Sequence, residues 1–150
     1  SRIAGFAAEE SAALGITTHK GGTYLAMEGP QFSSLAESKL YRSWDCAVIG
    51  MTNMPEAKLA KEAQMAYASL AMVTDFDCWH PREAHVTANT AIANLMKNAG
   101  YAQLIAAAAV RLLGAEKPMS AAHTALAASL VTQPADMAPE VLARLQVLLD

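Results

Sequence analysis

Cys46-Ala47-Val48-Ile49-Gly50-Met51-Thr52-Asn53-Met54-Pro55-Glu56-Ala57-Lys58-Leu59-Ala60 sets a continuous apolar run directly against a helix start. Six residues from Cys46 to Met51 show no polar alternation, which predicts a short strand buried on both faces. Asn53 and Glu56 have capping-box spacing. Pro55 falls in the first turn, where its missing N–H costs nothing. A helix is therefore expected over 53–64. A buried strand running straight into a helix is the repeating unit of α/β folds.

The same grammar extends in both directions. Upstream, Ser34 and Glu37 form a second Ser-x-x-Glu capping box, predicting a helix over 34–44. Glu28-Gly29-Pro30 reads as a turn. Residues 16–27 read as extended, with two strands around Gly21-Gly22. A first helix over 4–14 is closed by Gly15. Downstream, residues 67–73 read as another buried strand and 74–83 as a polar loop. A long helix is expected from Val86 to Leu113, with Ile92, Leu95, Met96 and Ala99 on one face and Gly100 as a point for a kink. Two further helices are expected over 120–131 and 139–149, the last with Val141, Leu142, Leu145, Leu148 and Leu149 at helical spacing. The pattern predicts an α/β fold with at least two parallel neighbours in its sheet.

The 150 residues carry a net charge of -3, with 53% hydrophobic and 17% charged residues. That length is one domain, able to bury roughly 68% of its unfolded surface. The apolar content excludes a disordered chain. Eleven Lys+Arg against 14 Asp+Glu leave no basic excess, so no nucleic-acid partner is expected. The richest apolar stretch, Ile105 to Leu113, is short and contains Arg111, so no membrane partner is expected either. Two cysteines, Cys46 and Cys78, cannot build a disulfide scaffold, and no secretory signal opens the chain. A cytoplasmic location is expected. Ser1-Arg2 leads straight into a helical pattern without an initiator Met, which suggests part of a longer polypeptide; a processed chain reads the same way.

In α/β sheets ligands bind beyond the carboxyl ends of strands. Three segments hold such positions: Pro30 to Ser34, Met51 to Asn53 and Thr74 to Asp77. Two open helices with hydroxyl or amide caps, where free N–H groups suit phosphate. Each cap, taken singly, is commonly structural. The third holds Asp75 and Asp77. If extended geometry persists, their carboxylates point to one side of the chain. One of two close carboxylates then holds a proton as a general acid. A solvated acidic loop, or a cap for the following turn, reads the same residues. Cys78, His80 and His85 lack the spacing of a zinc site, so no metal is expected. His19 and His123 are isolated, and Cys46 reads as core. Met51, at a strand end, is the methionine placed to touch a ligand.

Three stretches together carry a resemblance: Gly22-Thr23-Tyr24-Leu25-Ala26-Met27-Glu28-Gly29-Pro30-Gln31-Phe32-Ser33-Ser34, then Val48 through Ala60, then Ala71-Met72-Val73-Thr74-Asp75-Phe76-Asp77-Cys78-Trp79. In this order they resemble the purine nucleoside phosphorylase family, in its branch acting on S-methyl-5'-thioadenosine. The likeness is close from Gly21 to Trp79 and weaker, though compatible, to Asp150. It implies that residues 1–150 are the carboxyl-terminal part of a single nucleoside phosphorylase domain, a mixed sheet flanked by helices. It implies phosphorolysis of the N-glycosidic bond of methylthioadenosine to adenine and the methylthio ribose 1-phosphate. No cofactor is implied, phosphate being a co-substrate, and the family is usually trimeric.

The resemblance also implies roles. Phe32 packs on the purine, Ser33 bears on substrate choice, Met51 lies against the ribose and Thr52 contacts phosphate. Asp75 donates or shares a proton at purine N7, and Asp77 assists. The aspartate pair accepts from the 6-amino group, with Phe76 where the family usually has Tyr. The pocket for the 5'-group falls around Ala88 and Ala91, where no sharp motif stands. Adenosine or another purine nucleoside is the alternative substrate. A non-catalytic half-domain assembling with a partner chain is the alternative role, and a separate amino-terminal half chain is a possible partner.

Overall fold

A computed structural model describes residues 2–80, 88–127 and 129–149. The first helix, α1 (Arg2–Ala13), ends as expected at Gly15. Gly15 adopts φ +69°. Its N–H donates to the Ala12 carbonyl and the Ile16 N–H to that of Ser11, at 3.0 and 2.9 Å. This doubly bonded stop needs a left-handed residue, which glycine supplies without a Cβ clash.

Strand β1 (Thr23–Ala26), helix α2 (Leu35–Ser43) and strand β2 (Cys46–Gly50) form a βαβ unit. The strands pair in parallel, with Ala26 opposite Gly50 at their carboxyl ends and an irregularity after Thr23. Residues 16–22 do not form the second strand expected before Thr23. The capping box of α2 is complete: Ser34 Oγ accepts from the Glu37 N–H, and Glu37 accepts from the Ser34 N–H. Those bonds hold the Glu37 carboxyl below its ordinary range, the backbone N–H of Ser34 first and its hydroxyl second.

Helix α3 (Asn53–Glu62) follows β2 after two residues. Asn53 does not cap it. The N-cap is Thr52, without a side-chain bond, and Met54 is extended (φ -122°, ψ 132°). A residue before proline is pushed out of helical geometry by the pyrrolidine ring, so the regular helix starts at Pro55. Asn53 instead donates through Nδ2 to Ser69 Oγ at 2.6 Å.

Residues 67–73 are a correction to the sequence reading: they form no strand. A strand needs a neighbouring backbone, and among the described residues the sheet is the β1–β2 pair alone. The α/β class stands.

Helix α4 (Ala88–Glu116) continues unbroken through Gly100, without the kink expected there; Val86 lies outside the described residues. Its buried residues are Ile105, Ala108 and Ala109, and α1, packed on α4, buries Phe6, Ala8 and Ser11. The stripe of Ile92, Leu95 and Met96 is exposed rather than core. Arg2 at the start of α1 pairs with Glu116 at the end of α4 at 2.8 Å and with Glu9 at 3.0 Å. The bond to Arg2 lowers the Glu116 carboxyl and raises the guanidinium.

Among the described residues of 120–131, the expected helix is reduced to a 3₁₀ turn, Ala121–Thr124. Ser120 Oγ accepts from the Ala122 N–H and so favours a local turn. Helix α5 (Pro139–Leu149) forms where its periodicity placed it. Among the described residues no helix is long and apolar enough to cross a membrane.

Candidate active site

The parallel pairing decides where the first two loops begin. With Ala26 opposite Gly50, residues 27 and 51 leave the sheet side by side. The Met27 N–H donates to the Gly50 carbonyl at 2.9 Å, carrying the contact one residue past β1. Gly29 has φ +77°, and a Cβ there would sit 2.0 Å from Met51 Cε. The Met51 side chain therefore lies on the Gly29 backbone, and the left-handed φ at Gly29 favours glycine there. This joins segment 30–34 to segment 51–53.

The third segment meets the first through Cys78, whose Sγ donates to the Ser33 carbonyl at 3.4 Å. Arg42, on α2, lies 3.6 Å above the Trp79 ring centroid, a cation–π contact that ties the aspartate loop to the helix after segment 30–34. All three segments picked from the sequence are thus neighbours.

Within the third segment the expected extended geometry does not persist. Phe76 (φ -99°, ψ 22°) and Asp77 (φ 56°) turn the chain into a 3₁₀ turn at Asp77–Trp79. Alternation of side chains along a strand is therefore not what relates the two aspartates. A turn does so instead: Asp75 Oδ1 accepts the Asp77 N–H at 2.9 Å, two residues on, in the manner of an Asx turn. Asp75 Oδ2 accepts Thr74 Oγ1–H at 2.6 Å. A carboxylate has about four acceptor positions, of which the described residues fill two at Asp75. The Asp77 carboxylate is half-buried and, among the described residues, has no hydrogen-bond partner. The Phe76 ring stacks on His80 at 4.8 Å and meets Trp79 edge-on at 6.0 Å.

The remaining residues differ in what they leave free. Ser34 spends its hydroxyl on Glu37. Among the described residues Ser33 Oγ reaches the Met27 sulfur alone, at 3.7 Å, a weak partner. Thr52 is exposed and makes no capping bond. Phe32, Phe76 and Met51 are exposed, at 60%, 52% and 38%. Ala88 and Ala91 begin α4. Of the rejected metal set, Cys78 and His80 are in place and His85 lies outside the described residues; among those described, no three His, Cys, Asp or Glu residues are grouped for a metal.

The sequence reading missed the scaffold beneath the aspartates. Asn94 Nδ2 donates to the Thr74 carbonyl and Asn98 Nδ2 to the Val73 carbonyl, the latter at 3.1 Å. Two asparagines four residues apart inside a helix were the available signal. The partnership of Asn53 with Ser69 had none.

Residues 3–111 match the sequence profile described as the Phosphorylase superfamily, and the chain belongs to that superfamily. Within it, the chain is 53% identical over 146 residues to the S-methyl-5'-thioadenosine phosphorylase of Cereibacter sphaeroides, covering 96% of this chain and 50% of that protein. The corresponding phosphorylase of Synechocystis sp. is 57% identical over 120 residues, covering 80% and 37%. In three dimensions the chain superposes on a methylthioadenosine phosphorylase sourced from an antarctic soil metagenomic library with a TM-score of 0.89, 51% identity and coverage of 99% and 53%. Against the methylthioadenosine phosphorylase of Schistosoma mansoni in complex with adenine the TM-score is 0.70, at 30% identity, covering 77% and 45%. The chain spans half or less of the length of the curated relatives it matches.

Proposed function

We propose that residues 1–150 are the carboxyl-terminal part of one nucleoside phosphorylase domain that cleaves S-methyl-5'-thioadenosine. Phosphate takes the ribosyl group, giving adenine and S-methyl-5-thio-α-D-ribose 1-phosphate. The observation that carries the reading is the Asp75 carboxyl, held by Thr74 and the Asp77 N–H with acceptor capacity left over, on the loop that Cys78 ties to the Ser33 carbonyl.

The chemistry follows from the leaving group. Adenine departs poorly as an anion, so a proton at N7 must accompany rupture of the glycosidic bond. Asp75 donates or shares that proton. Asp77, whose carboxylate has no hydrogen-bond partner among the described residues, assists and accepts from the exocyclic 6-amino group, as a carboxylate can and an amide N–H₂ cannot. Phe32 packs on the purine with Phe76 nearby, and Met51, seated on Gly29, lies against the ribose. Ser33 bears on which substrate is chosen. The Thr52 hydroxyl, free of its own helix, contacts phosphate. Phosphate brings about two negative charges, and the three segments contain no Lys or Arg, so the cationic contacts come from the rest of the protein.

Phosphate is a co-substrate and no cofactor takes part. The assembly is a homotrimer in the cytoplasm, where the thiols of Cys46 and Cys78 stay free. The remaining half is supplied by the same polypeptide or by a separate amino-terminal chain.

The test is phosphate-dependent base release from methylthioadenosine, adenosine and inosine, by the full-length protein and by residues 1–150 with and without the amino-terminal half. Adenine release from methylthioadenosine by the complete protein, with none from the half alone, is expected. Preference for adenosine or inosine would move the reading to another purine nucleoside. Base release by no assembly would leave a non-catalytic module.

A further inference from the structure

The stretch carrying Asp75 has no strand beside it among the described residues, so its backbone must find hydrogen bonds elsewhere. Two successive carbonyls, of Val73 and Thr74, take theirs from one helix. Asn98 donates to the first at 3.1 Å and Asn94 to the second. Four residues apart, these amides lie one turn from each other on one face of α4. Ala91, Asn94 and Asn98 are all half-buried, whereas Ile92, Leu95 and Met96 are exposed. That face of α4 therefore looks at the aspartate loop.

The second link is inside the loop. The residue whose carbonyl Asn94 holds also donates its side-chain hydroxyl to Asp75 Oδ2, at 2.6 Å. Fixing the Thr74 backbone fixes the origin of that hydroxyl, and the hydroxyl in turn holds Oδ2 of Asp75. The other oxygen carries the Asp77 N–H. Side chains that must sit within about half an ångström of a reacting atom need this kind of support.

We infer that Asn94 is a positioning residue for Asp75, acting through Thr74: α4 amide to Thr74 carbonyl, Thr74 hydroxyl to Asp75 carboxylate. The inference rests on the proposed phosphorolysis and names the support of its acid. Asn98 steadies the preceding peptide and stands one link further away.

The experiment uses the full-length phosphorylase containing this sequence, with Asn94→Ala, Thr74→Val, the double variant and the conservative Thr74→Ser. Methylthioadenosine phosphorolysis is followed at saturating and limiting phosphate, with thermal midpoints measured alongside. Misplacement by about 1 Å costs on the order of 10²-fold in rate. Asn94→Ala and Thr74→Val should therefore each lower kcat roughly ten- to hundredfold, while KM for phosphate stays within about twofold. Thr74→Ser, which keeps the hydroxyl, should recover most of the rate. Losses along one chain of contacts do not multiply, so the double variant should fall no more than about threefold below the worse single variant.

A parent enzyme without phosphate-dependent adenine release overturns the proposed function, and this inference with it. An active parent whose Asn94→Ala form keeps kcat within about twofold overturns the inference alone. So does an Asn94→Ala loss that multiplies fully with that of Thr74→Val. If Asn94→Ala does not fold, Thr74→Val decides: unchanged kcat there overturns the relay.

Discussion

Asp77→Asn isolates one chemical property of the candidate site. Asp77 sits at φ 56°, in the left-handed region. Most residues lose about 1–2 kcal/mol there, but Asn and Asp tolerate it through local hydrogen bonding. The asparagine variant keeps the turn and leaves the Asp77 N–H on Asp75 Oδ1 at 2.9 Å undisturbed. It changes a side chain that has no hydrogen-bond partner among the described residues, so no hydrogen bond to them is lost. What changes is direction: the carboxylate only accepts, whereas the amide can also donate. A 6-amino purine offers donors to that position and a 6-oxo purine an acceptor. A mispaired buried polar group costs about 1–3 kcal/mol. The ratio of kcat/KM for adenosine over inosine should therefore fall roughly ten- to hundredfold, since about 1.4 kcal/mol is a factor of ten. Paired steady-state assays on the full-length parent and variant measure this, with thermal midpoints expected to agree. An unchanged ratio in a folded variant would show that Asp77 does not read position 6 of the purine.

Three other outcomes follow from the geometry. Asp75→Asn keeps the acceptor for one neighbour but cannot serve as an acid, so kcat should drop about 10²–10⁴-fold with a much smaller change in nucleoside affinity; equal kcat would remove Asp75 from the mechanism. Gly29→Ala puts a Cβ 2.0 Å from Met51 Cε at φ +77°, so it should lower stability by about 1–2 kcal/mol and raise KM for the nucleoside, read by urea unfolding and initial rates. The Glu37 carboxyl is depressed by its bonds to Ser34. A depressed folded-state carboxyl stabilises above its unfolded value and loses that contribution as pH falls through the folded one. Stability should thus decline on acidification below the ordinary glutamate range, and less so in Ser34→Ala, which itself costs ~1 kcal/mol at neutral pH.

How much of this was legible depended on whether the signal was local. Ser34 with Glu37, Gly15 after its helix, and the apolar run into Pro55 are decided within a few residues, by caps, a left-handed stop and a ring that fixes φ. Each element came out where the sequence placed it, give or take the start of α3, but the strand Cys46–Gly50, expected to be buried on both faces, is half-buried with Ala47 exposed, and Cys46, read as core, is half-buried too. Apolar composition was a poorer guide. Residues 67–73 and the stripe of Ile92, Leu95 and Met96 are apolar enough for a strand and a core face, yet neither is one here. Apolarity says that a surface is to be covered, not by what. The chain spans only part of its relatives' length, and large apolar side chains such as Leu59, Val73 and Met96 stand exposed.

The sequence alone determined the βαβ unit, the three candidate segments and the pair of aspartates within one of them, because caps, turns and short apolar runs act over a single helical turn or strand. Only the tertiary structure decided that these segments touch, through Met51 on Gly29 and Cys78 on Ser33. It also replaced strand alternation by a left-handed turn as the link between Asp75 and Asp77, and brought Asn94 and Asn98 under the loop. Contacts between residues 20 to 45 positions apart depend on how whole elements pack: the four-residue spacing of Asn94 and Asn98 puts them on one helix face, but does not say which loop that face meets.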